Sequence, residues 1–370
     1  PYVRSALLSG IISGMSDGSF QPKRNITRGE VAKMLSVAIG TLIDKPGTYT
    51  ENGVFGNVTI NSSGVTLRDT TIAGDLYLTG GVGLGDVVLD NVRVLGRIVI
   101  AGGGESQDGV ASITLNNVEA HKLLVDPATG QYVSVRAIGA TKIPETYVQS
   151  NAFLQDDVRD PSKGLQTVYL KGENGAQFTI AGNMKNVVNQ TPGSTLTVGD
   201  TGTGSVGSIR VDELATGSHL KLEINANVDN IYLDTATDVT GSGDIGKLTV
   251  STNGSSCEIL PNEVEVRPGV TTDIADEGVV DSEIAKEISS KPQLLEGYPK
   301  ARNVAPTTAD GVFSTNKAGT LYWALTTAAI GPLNNSNADD LITPSDYGSG
   351  FLSYGSMKVP TSKTEVTAKL

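Results

Sequence analysis

The chain has 370 residues, with 28 Lys and Arg against 40 Asp and Glu, a formal net charge of −12, 44 Gly and one Cys. The acidic balance argues against nucleic-acid binding, because a phosphate backbone requires a concentrated basic face. The lone thiol of Cys257 excludes an intramolecular disulfide, and no apolar run approaches the roughly 20 residues that cross a bilayer. The chain begins at Pro1 rather than Met, so we expect its N-terminus to result from processing, cloning or truncation.

Residues 1–42 predict a helix, a glycine-rich turn and a second helix. Asp17-Gly18 favours a turn that needs a positive φ. Thr27 is a candidate N-cap of the second helix, and Glu30 follows three residues later, which is the capping-box spacing. The apolar residues of that helix recur at helical intervals and are Val31, Met34, Leu35 and Ala38.

The ordered motif G-I-I-x-G-x-x-D-G-x-F-x-P, starting at Gly10, and the later I-T-R-G-E, ending at Glu30, resemble the S-layer homology repeat. The resemblance implies an extracellular protein of the bacterial cell surface that binds secondary cell-wall polysaccharide, an anionic and often pyruvylated polymer. It assigns Gly10, Asp17, Thr27, Arg28 and Glu30 to the polysaccharide-binding repeat.

In this family, the arginine of the second motif faces the acidic sugar, which implies that role for Arg28. A guanidinium group offers a carboxylate two parallel hydrogen bonds. The alternative is that Arg28 lies in the first helical turn beside Glu30 and has no specific role. The family usually presents three repeats around a shared groove, and here we find one, with Gly29 where alanine is usual. We therefore expect weak binding by this chain alone.

Residues 47–266 have a different pattern, in which short β-branched strands alternate with Gly, Asn and Asp. Residues 65–78 and 87–100 align at a constant offset of 22, with Gly74 matching Gly96. A repeat of this length is typical of one coil of a parallel β-helix, because each inward residue must stack on its equivalent in the next coil. We predict a right-handed parallel β-helix whose inward residues include one column, Leu67, Leu89 and Leu115.

The corners of these coils are expected at Asp69, Asn91 and Asn117, because aspartate and asparagine tolerate the bent backbone. The second half of the region continues less regularly. Ile143 to Lys163 interrupts the pattern and is predicted to leave the stack as a loop.

Many parallel β-helices are polysaccharide lyases or hydrolases, whose sites cluster several carboxylates with Arg or Lys. In this sequence the two histidines, His121 and His219, are isolated and aromatic residues are few. We therefore predict no catalytic residue and a chain that is not an enzyme. The alternative is a wall-anchored carbohydrate-active β-helix enzyme, a lyase or a hydrolase.

Two pairs of aspartates could hold calcium, which prefers oxygen ligands. They are Asp234 with Asp238 and Asp200 with Asp212. Both pairs lack a recognised calcium-loop signature, so we predict solvated turns, no metal and no cofactor. Cys257 is expected to be a small buried thiol.

Residues 267–297 predict an acidic linker, and residues 298–370 change to another β pattern. The K-x-G-T-x-Y sequence from Lys317 to Tyr322 resembles a strand of fibronectin-III-like or Ig-like modules. A complete sandwich takes roughly 100 residues, so we predict a partial one that lacks at least a strand. Strand addition from a neighbouring copy would complete it, and truncation of a longer chain is the competing explanation.

Together these features predict a mainly β structural protein of the cell surface, such as an S-layer, sheath or filament subunit. The expected partners are wall polysaccharide and further copies of the same chain, since a solenoid has open ends that invite stacking.

Overall fold

The structure is a computed structural model that divides into two compact units, Pro1–Ala285 and Lys286–Leu370. It describes Val3, Ala6, Ile11, Ile12, Ser19, Leu294 and residues 21–50, 54–104, 111–128, 131–199, 201–202, 204–275, 277–290, 299–305, 308–315, 319–326, 351–359 and 365–369.

Unit 1 contains helix α1, Arg28–Ile39, followed by a parallel β-solenoid of about nine coils. A short 3₁₀ helix, Gly80–Val82, lies between the sixth and seventh strands. The strands of the first half are β1 (Thr41–Ile43), β2 (Gly47–Thr50), β3 (Val54–Phe55), β4 (Val58–Ile60), β5 (Val65–Ile72), β6 (Leu76–Leu78), β7 (Val87–Ile100), β8 (Ile113–Asn116), β9 (Glu119–Val125), β10 (Val133–Ile138), β11 (Lys142–Val148) and β12 (Ala152–Asp156).

The second half of the solenoid has shorter strands, and helix α2, Ser282–Ser290, follows them. The strands are β13 (Gly164–Leu170), β14 (Gln177–Gly182), β15 (Asn186–Asn189), β16 (Thr195–Val198), β17 (Val206–Val211), β18 (His219–Leu222), β19 (Asn227–Leu233), β20 (Asp238–Gly241), β21 (Asp244–Val250), β22 (Ser255–Cys257), β23 (Glu263–Val266), β24 (Thr272–Ile274) and β25 (Gly278–Val280).

Two long parallel sheets form the main walls of the solenoid. Face A joins β2, the start of β5, the start of β7, β8 and then the even strands from β10 to β24. Face B joins β1, β4, β6, the end of β7 and then the odd strands from β9 to β23. Side chains alternate between the core and the outer surface of each sheet.

The core confirms the sequence repeat. Leu67 pairs in register with Leu89, and Leu89 pairs with Leu115. All three side chains are fully buried. The prediction of a mainly β parallel solenoid is therefore confirmed, and the handedness of its coils stays a prediction.

The corners also follow the sequence. Asp69, Asn91 and Asn117 have positive φ angles of 49°, 55° and 52°. This left-handed region is costly for most L-residues, and asparagine and aspartate are among the few that visit it routinely. Each residue thereby turns the chain out of face A.

The prediction that Ile143 to Lys163 leaves the stack is wrong. β11 and β12 are regular coil strands that pair in parallel with strands on both sides. Outside the strands lie the short corner at residues 149–151 and the longer connection at residues 157–163. Pro144 and the polar outward residues obscure the period in the sequence, whereas the inward positions Ile143, Thr146 and Val148 keep it.

The sheets extend beyond both ends of the segment that the repeat indicated. β1 pairs with β4 before Gly47, and β24 pairs with β22 after Val266. β25 then turns back and pairs antiparallel with β24.

Unit 2 contains two small antiparallel sheets. One joins β26 (Lys300–Ala305), β27 (Thr308–Phe313) and β30 (Val366–Lys369), and the other joins β28 (Gly319–Thr326) and β29 (Phe351–Val359). β30, close to the C-terminus, pairs with β27. The resemblance to a fibronectin-III-like or Ig-like module stays a prediction, as does the missing strand.

Candidate polysaccharide-binding site

Helix α1 begins with a complete capping box. The Thr27 side-chain oxygen accepts a hydrogen bond from the backbone N–H of Glu30 at 3.2 Å. In return, Oε2 of Glu30 accepts from the backbone N–H of Thr27 at 2.8 Å. Two N–H groups that the first helical turn would leave unpaired are thus satisfied, as the sequence spacing indicates.

Glu30 has a cationic partner that the sequence reasoning missed. The guanidinium group of Arg24 forms an ion pair with Oε1 of Glu30. The backbone and side-chain hydrogen bonds from Thr27, followed by the one from Arg24, lower the pKa of Glu30 to about 2. Glu30 is therefore a carboxylate that orders the start of the helix.

Arg28 lies in the first turn of α1 and is exposed. No ion pair involves it within the part of the chain that the structure describes. Its neighbour Glu30 is already occupied by Arg24 and Thr27. Arg28 is thus placed where its guanidinium group can meet a ligand from solvent. Gly10 and Asp17, the other predicted site residues, lie outside the described residues.

Position 29 has glycine where the family usually has alanine, and lack of space is not the reason. A Cβ atom added at this position has nothing within 4 Å, so the alanine usual in the family would fit. Gly40 at the other end of the helix differs, since its φ is 66° and an added Cβ would lie 1.9 Å from the carbonyl oxygen of Asn57.

Helix α1 is attached to the first coils of the solenoid at its C-terminal end. The Asn57 amide donates to the carbonyl oxygen of Ala38 at 3.0 Å, and the Thr59 hydroxyl donates to that of Ile39 at 2.7 Å. These bonds satisfy carbonyl groups that the last helical turn leaves without partners. They connect the motif that contains Arg28 directly to the solenoid.

His121 lies at the rim of an open concavity of ~150 Å³ on the solenoid surface. Arg93, Glu119 and Lys142 occupy equivalent positions in three successive coils beside it. Arg93 and Glu119 approach to 3.4 Å. This arrangement resembles the solvated corner that the sequence predicts more than a catalytic pocket.

His219 is less isolated than its place in the sequence suggests. Its Nδ1 lies 3.8 Å from Asp238, and Asp238 accepts a hydrogen bond of 2.6 Å from the Ser256 hydroxyl. The three residues occupy equivalent outward positions in successive coils of face A. The carboxylate lies between the other two groups, so the imidazole is not placed to activate the serine.

Of the two aspartate pairs considered for calcium, only Asp234 with Asp238 lies wholly within the described residues, and its members lie on different faces. Asp234 forms an ion pair with Arg210 beside face B, whereas Asp238 lies on face A. Asp212 accepts hydrogen bonds from Leu214 and Gln190, and Asp200 lies outside the described residues. Among the described residues, no three His, Cys, Asp or Glu side chains form a metal-binding group.

Cys257 is buried on the inner side of β22, as expected for a small core residue. Its thiol donates to the carbonyl oxygen of Ile259 at 3.0 Å. Burial raises the pKa of the thiol to about 11, so it is not a nucleophile at neutral pH.

Sequence reasoning also missed the outer surface of face B. One outward column there contains six successive apolar or aromatic residues, and all are half-buried. They could have been found by reading the residue after each inward residue of the repeat. The column consists of Tyr77, Val99, Leu124, Tyr147, Tyr169 and Val188.

The S-layer homology domain matches residues 1–32 of this chain. The match covers the turn motif and the start of α1, including Thr27, Arg28 and Glu30. S-layer homology domains attach proteins to wall polysaccharide, so the chain is an extracellular protein of the bacterial cell surface. Within the described residues, no helix combines the length and apolar character that a bilayer span requires.

A solved structure that is similar to this chain is chitinase ChiW from Paenibacillus sp. str. FPU-7, described as a cell-surface-expressed multi-modular enzyme. The identity is 18% and the TM-score is 0.39, and the match covers 70% of this chain and 24% of the chitinase chain. No curated protein matches the chain.

The chitinase requires a correction to the sequence analysis. The prediction that the chain is not an enzyme is contradicted by this match, because the similar protein is itself a surface enzyme. The prediction is therefore withdrawn. At this identity and TM-score, the match does not assign an activity to this chain.

Proposed function

We propose that the chain is a structural component of the bacterial surface, whose N-terminal repeat holds a β-solenoid against the wall. The match of residues 1–32 to the S-layer homology domain carries this proposal. The position of Arg28 supports it, since the group is exposed in a helical turn ordered by Thr27 and Glu30. The ligand is the acidic secondary cell-wall polysaccharide, and Arg28 supplies the contact to its carboxylate.

The experiment measures binding of the full chain to purified cell walls. Arg28→Ala should reduce binding severalfold, because it removes the bidentate donor while the capping box stays intact. Lys33→Ala is the matched control, since it removes one exposed cation from the same helix. Equal binding by Arg28→Ala and the original chain, or an equal loss in Lys33→Ala, would contradict the assigned role.

The proposed structural role includes self-association into an S-layer, sheath or filament. The solenoid supports this, because its parallel sheets present the same side-chain spacing over many coils. Sedimentation over a wide concentration range, with and without calcium, tests it. A chain that remains monomeric throughout is not a self-assembling subunit. If strand addition drives assembly, deletion of residues 298–370 should abolish it and leave the solenoid folded.

A further inference from the structure

The outward column of face B forms a continuous apolar stripe, the face B stripe. It crosses six successive coils. At about 4.8 Å per coil, its ends lie roughly 24 Å apart. Its members, in order along the solenoid, are Tyr77, Val99, Leu124, Tyr147, Tyr169 and Val188.

The stripe has defined ends. Thr59 precedes Tyr77 in the column, and its hydroxyl donates to the carbonyl oxygen of Ile39 in helix α1. Arg210 follows Val188 and pairs with Asp234. The apolar surface is therefore a bounded patch between a helix contact and an ion pair. A bounded apolar patch with a polar rim is typical of an interaction surface.

Two of the three rings of the stripe, those of Tyr147 and Tyr169, already have partners on their faces. The Tyr147 and Tyr169 rings stack with their centroids 4.9 Å apart and their planes at 19°. Nζ of Lys122 lies 4.6 Å from the Tyr147 centroid, and Nζ of Lys171 lies 5.6 Å from that of Tyr169. Because these groups occupy ring faces, the stacked Tyr147 and Tyr169 rings form a ridge whose faces are partly covered. Ridges of this kind suit another protein surface better than the flat side of a pyranose ring.

Two pairs of opposite charges beside the stripe form ion pairs within the face. Arg97 lies 3.0 Å from Asp75, and Lys122 lies 3.2 Å from Glu145. A chain with a net charge of −12 repels copies of itself over most of its surface. Charge pairing makes this patch a place where two copies can approach.

The order of residues in the stripe is complementary to its own reverse. When two copies face each other with antiparallel solenoid axes, Tyr77 lies opposite Val188, Val99 opposite Tyr169, and Leu124 opposite Tyr147. Every ring then meets an aliphatic side chain, and Lys122 of one copy lies opposite Glu145 of the other. The coil spacing is the same in both copies, so the ridges remain in register along the whole contact.

We propose that face B is a lateral, two-fold contact between two copies of this chain. The two-fold axis is parallel to the strands and passes midway between the coils of Leu124 and Tyr147. Such an isologous contact uses the same patch on both copies and closes as a pair. The inference rests on the proposed self-association and names one of its contacts, since a closed pair needs a second, different contact to extend into a sheet or filament. The patch is small for a stable dimer, so the contact belongs among weak interfaces and forms at high protein concentration.

The first experiment compares two substitutions in one strand. Val99 and Val88 are both half-buried outward valines of β7, but Val99 lies on face B and Val88 on face A. Val99→Lys should weaken association by about tenfold or more in sedimentation equilibrium, because it places an ammonium group opposite Tyr169. Val88→Lys should leave association unchanged. Circular dichroism confirms that each variant is folded, and Val188→Lys replaces Val99→Lys if that variant does not fold.

The outcomes separate this inference from the proposed self-association. If the original chain is monomeric at all concentrations, both fail. If it associates and Val99→Lys associates equally well, or if Val88→Lys weakens association equally, only face B as the contact is wrong. If Val99→Lys loses binding to purified wall polysaccharide while its sedimentation is unchanged, the face binds glycan and the inference is overturned.

A cross-linking experiment tests the orientation of the two copies. Tyr77→Cys chains and Val188→Cys chains are prepared separately, mixed, and treated with a bismaleimide that spans the ~10 Å between facing sheets. The mixture should form cross-linked dimers, because position 77 faces position 188 of the other copy. Each variant alone should not, since its two cysteines then lie five coils, or roughly 24 Å, apart along the stripe. Cross-linking of Tyr77→Cys with itself would indicate parallel axes and overturn the proposed axis.

Discussion

The Nδ2 atom of Asn91 donates a hydrogen bond of 2.8 Å to Oδ1 of Asp69 from the equivalent corner of the next coil. Both residues have the positive φ that turns the chain out of face A. The bond therefore joins two bends of the backbone. The same bond is the main reason that the pKa of Asp69 is lower than usual.

Asn91→Ala is expected to destabilise the solenoid by about 1 kcal/mol or more, since alanine tolerates the left-handed region poorly. Asn91→Gly is the control, because glycine adopts this φ freely and lacks only the side-chain bond. The midpoint of urea unfolding should fall clearly for alanine and less for glycine. A larger loss for glycine would show that the hydrogen bond, rather than the φ angle, fixes the corner.

Leu89→Ala should cost about 2–5 kcal/mol, because it opens a cavity in the fully buried column between Leu67 and Leu115. Leu95→Ala is a matched control in the same strand, at a position where the side chain is 43% exposed. We expect a change below about 1 kcal/mol there. Thermal unfolding followed by circular dichroism measures both, and similar effects at the two positions would contradict the inward assignment of Leu89.

Asp156 is expected to make stability depend on pH. Its carboxylate is buried at the end of β12. It accepts hydrogen bonds from the backbone N–H groups of Val158 at 3.0 Å and Leu165 at 2.6 Å. Burial is the main cause that raises its pKa from 3.8 to about 6, and the nearby charge of Asp157 adds to the effect. The folded chain therefore binds this proton more tightly than the unfolded chain.

The protonated Asp156 side chain therefore contributes most to the free energy of unfolding below pH 4, and this contribution is lost as the pH rises towards 6. A shift of this size corresponds to roughly 3 kcal/mol. The stability of the original chain relative to Asp156→Asn should fall by an amount of this order between pH 4 and 6. Asp44→Asn removes an exposed carboxylate that is not a cause of the shift at Asp156 and serves as the control. If the difference in stability between Asp156→Asn and the original chain does not vary with pH, the raised pKa of Asp156 is wrong.

Gly29→Ala should stabilise helix α1 by about 1 kcal/mol, because alanine has the higher helix propensity and an added Cβ meets nothing. Gly40→Ala should do the opposite, since its φ is 66° and an added Cβ would collide with the Asn57 carbonyl oxygen. Amide hydrogen exchange of the α1 backbone reports both effects. Slower exchange in both variants would show that the C-terminal end of the helix is not held as described.

Local sequence patterns determined much of this protein. The capping box depends on two residues three positions apart, so Thr27 and Glu30 could be assigned without any tertiary information. The stacking of Leu67, Leu89 and Leu115 follows from a repeat that must place like residues over like. The corners at Asp69, Asn91 and Asn117 follow from the backbone preference of those residue types.

Only the tertiary structure decided which distant side chains meet. Arg24 reaches Glu30, and His219 comes within 3.8 Å of Asp238, because coil and turn geometry place them together. The coil lengths vary, so the outward column of face B has no constant period in the sequence. Its six apolar residues become one surface only when the hydrogen-bond register of the parallel strands aligns them, since register is set by the whole inward face and not by the outward residues themselves.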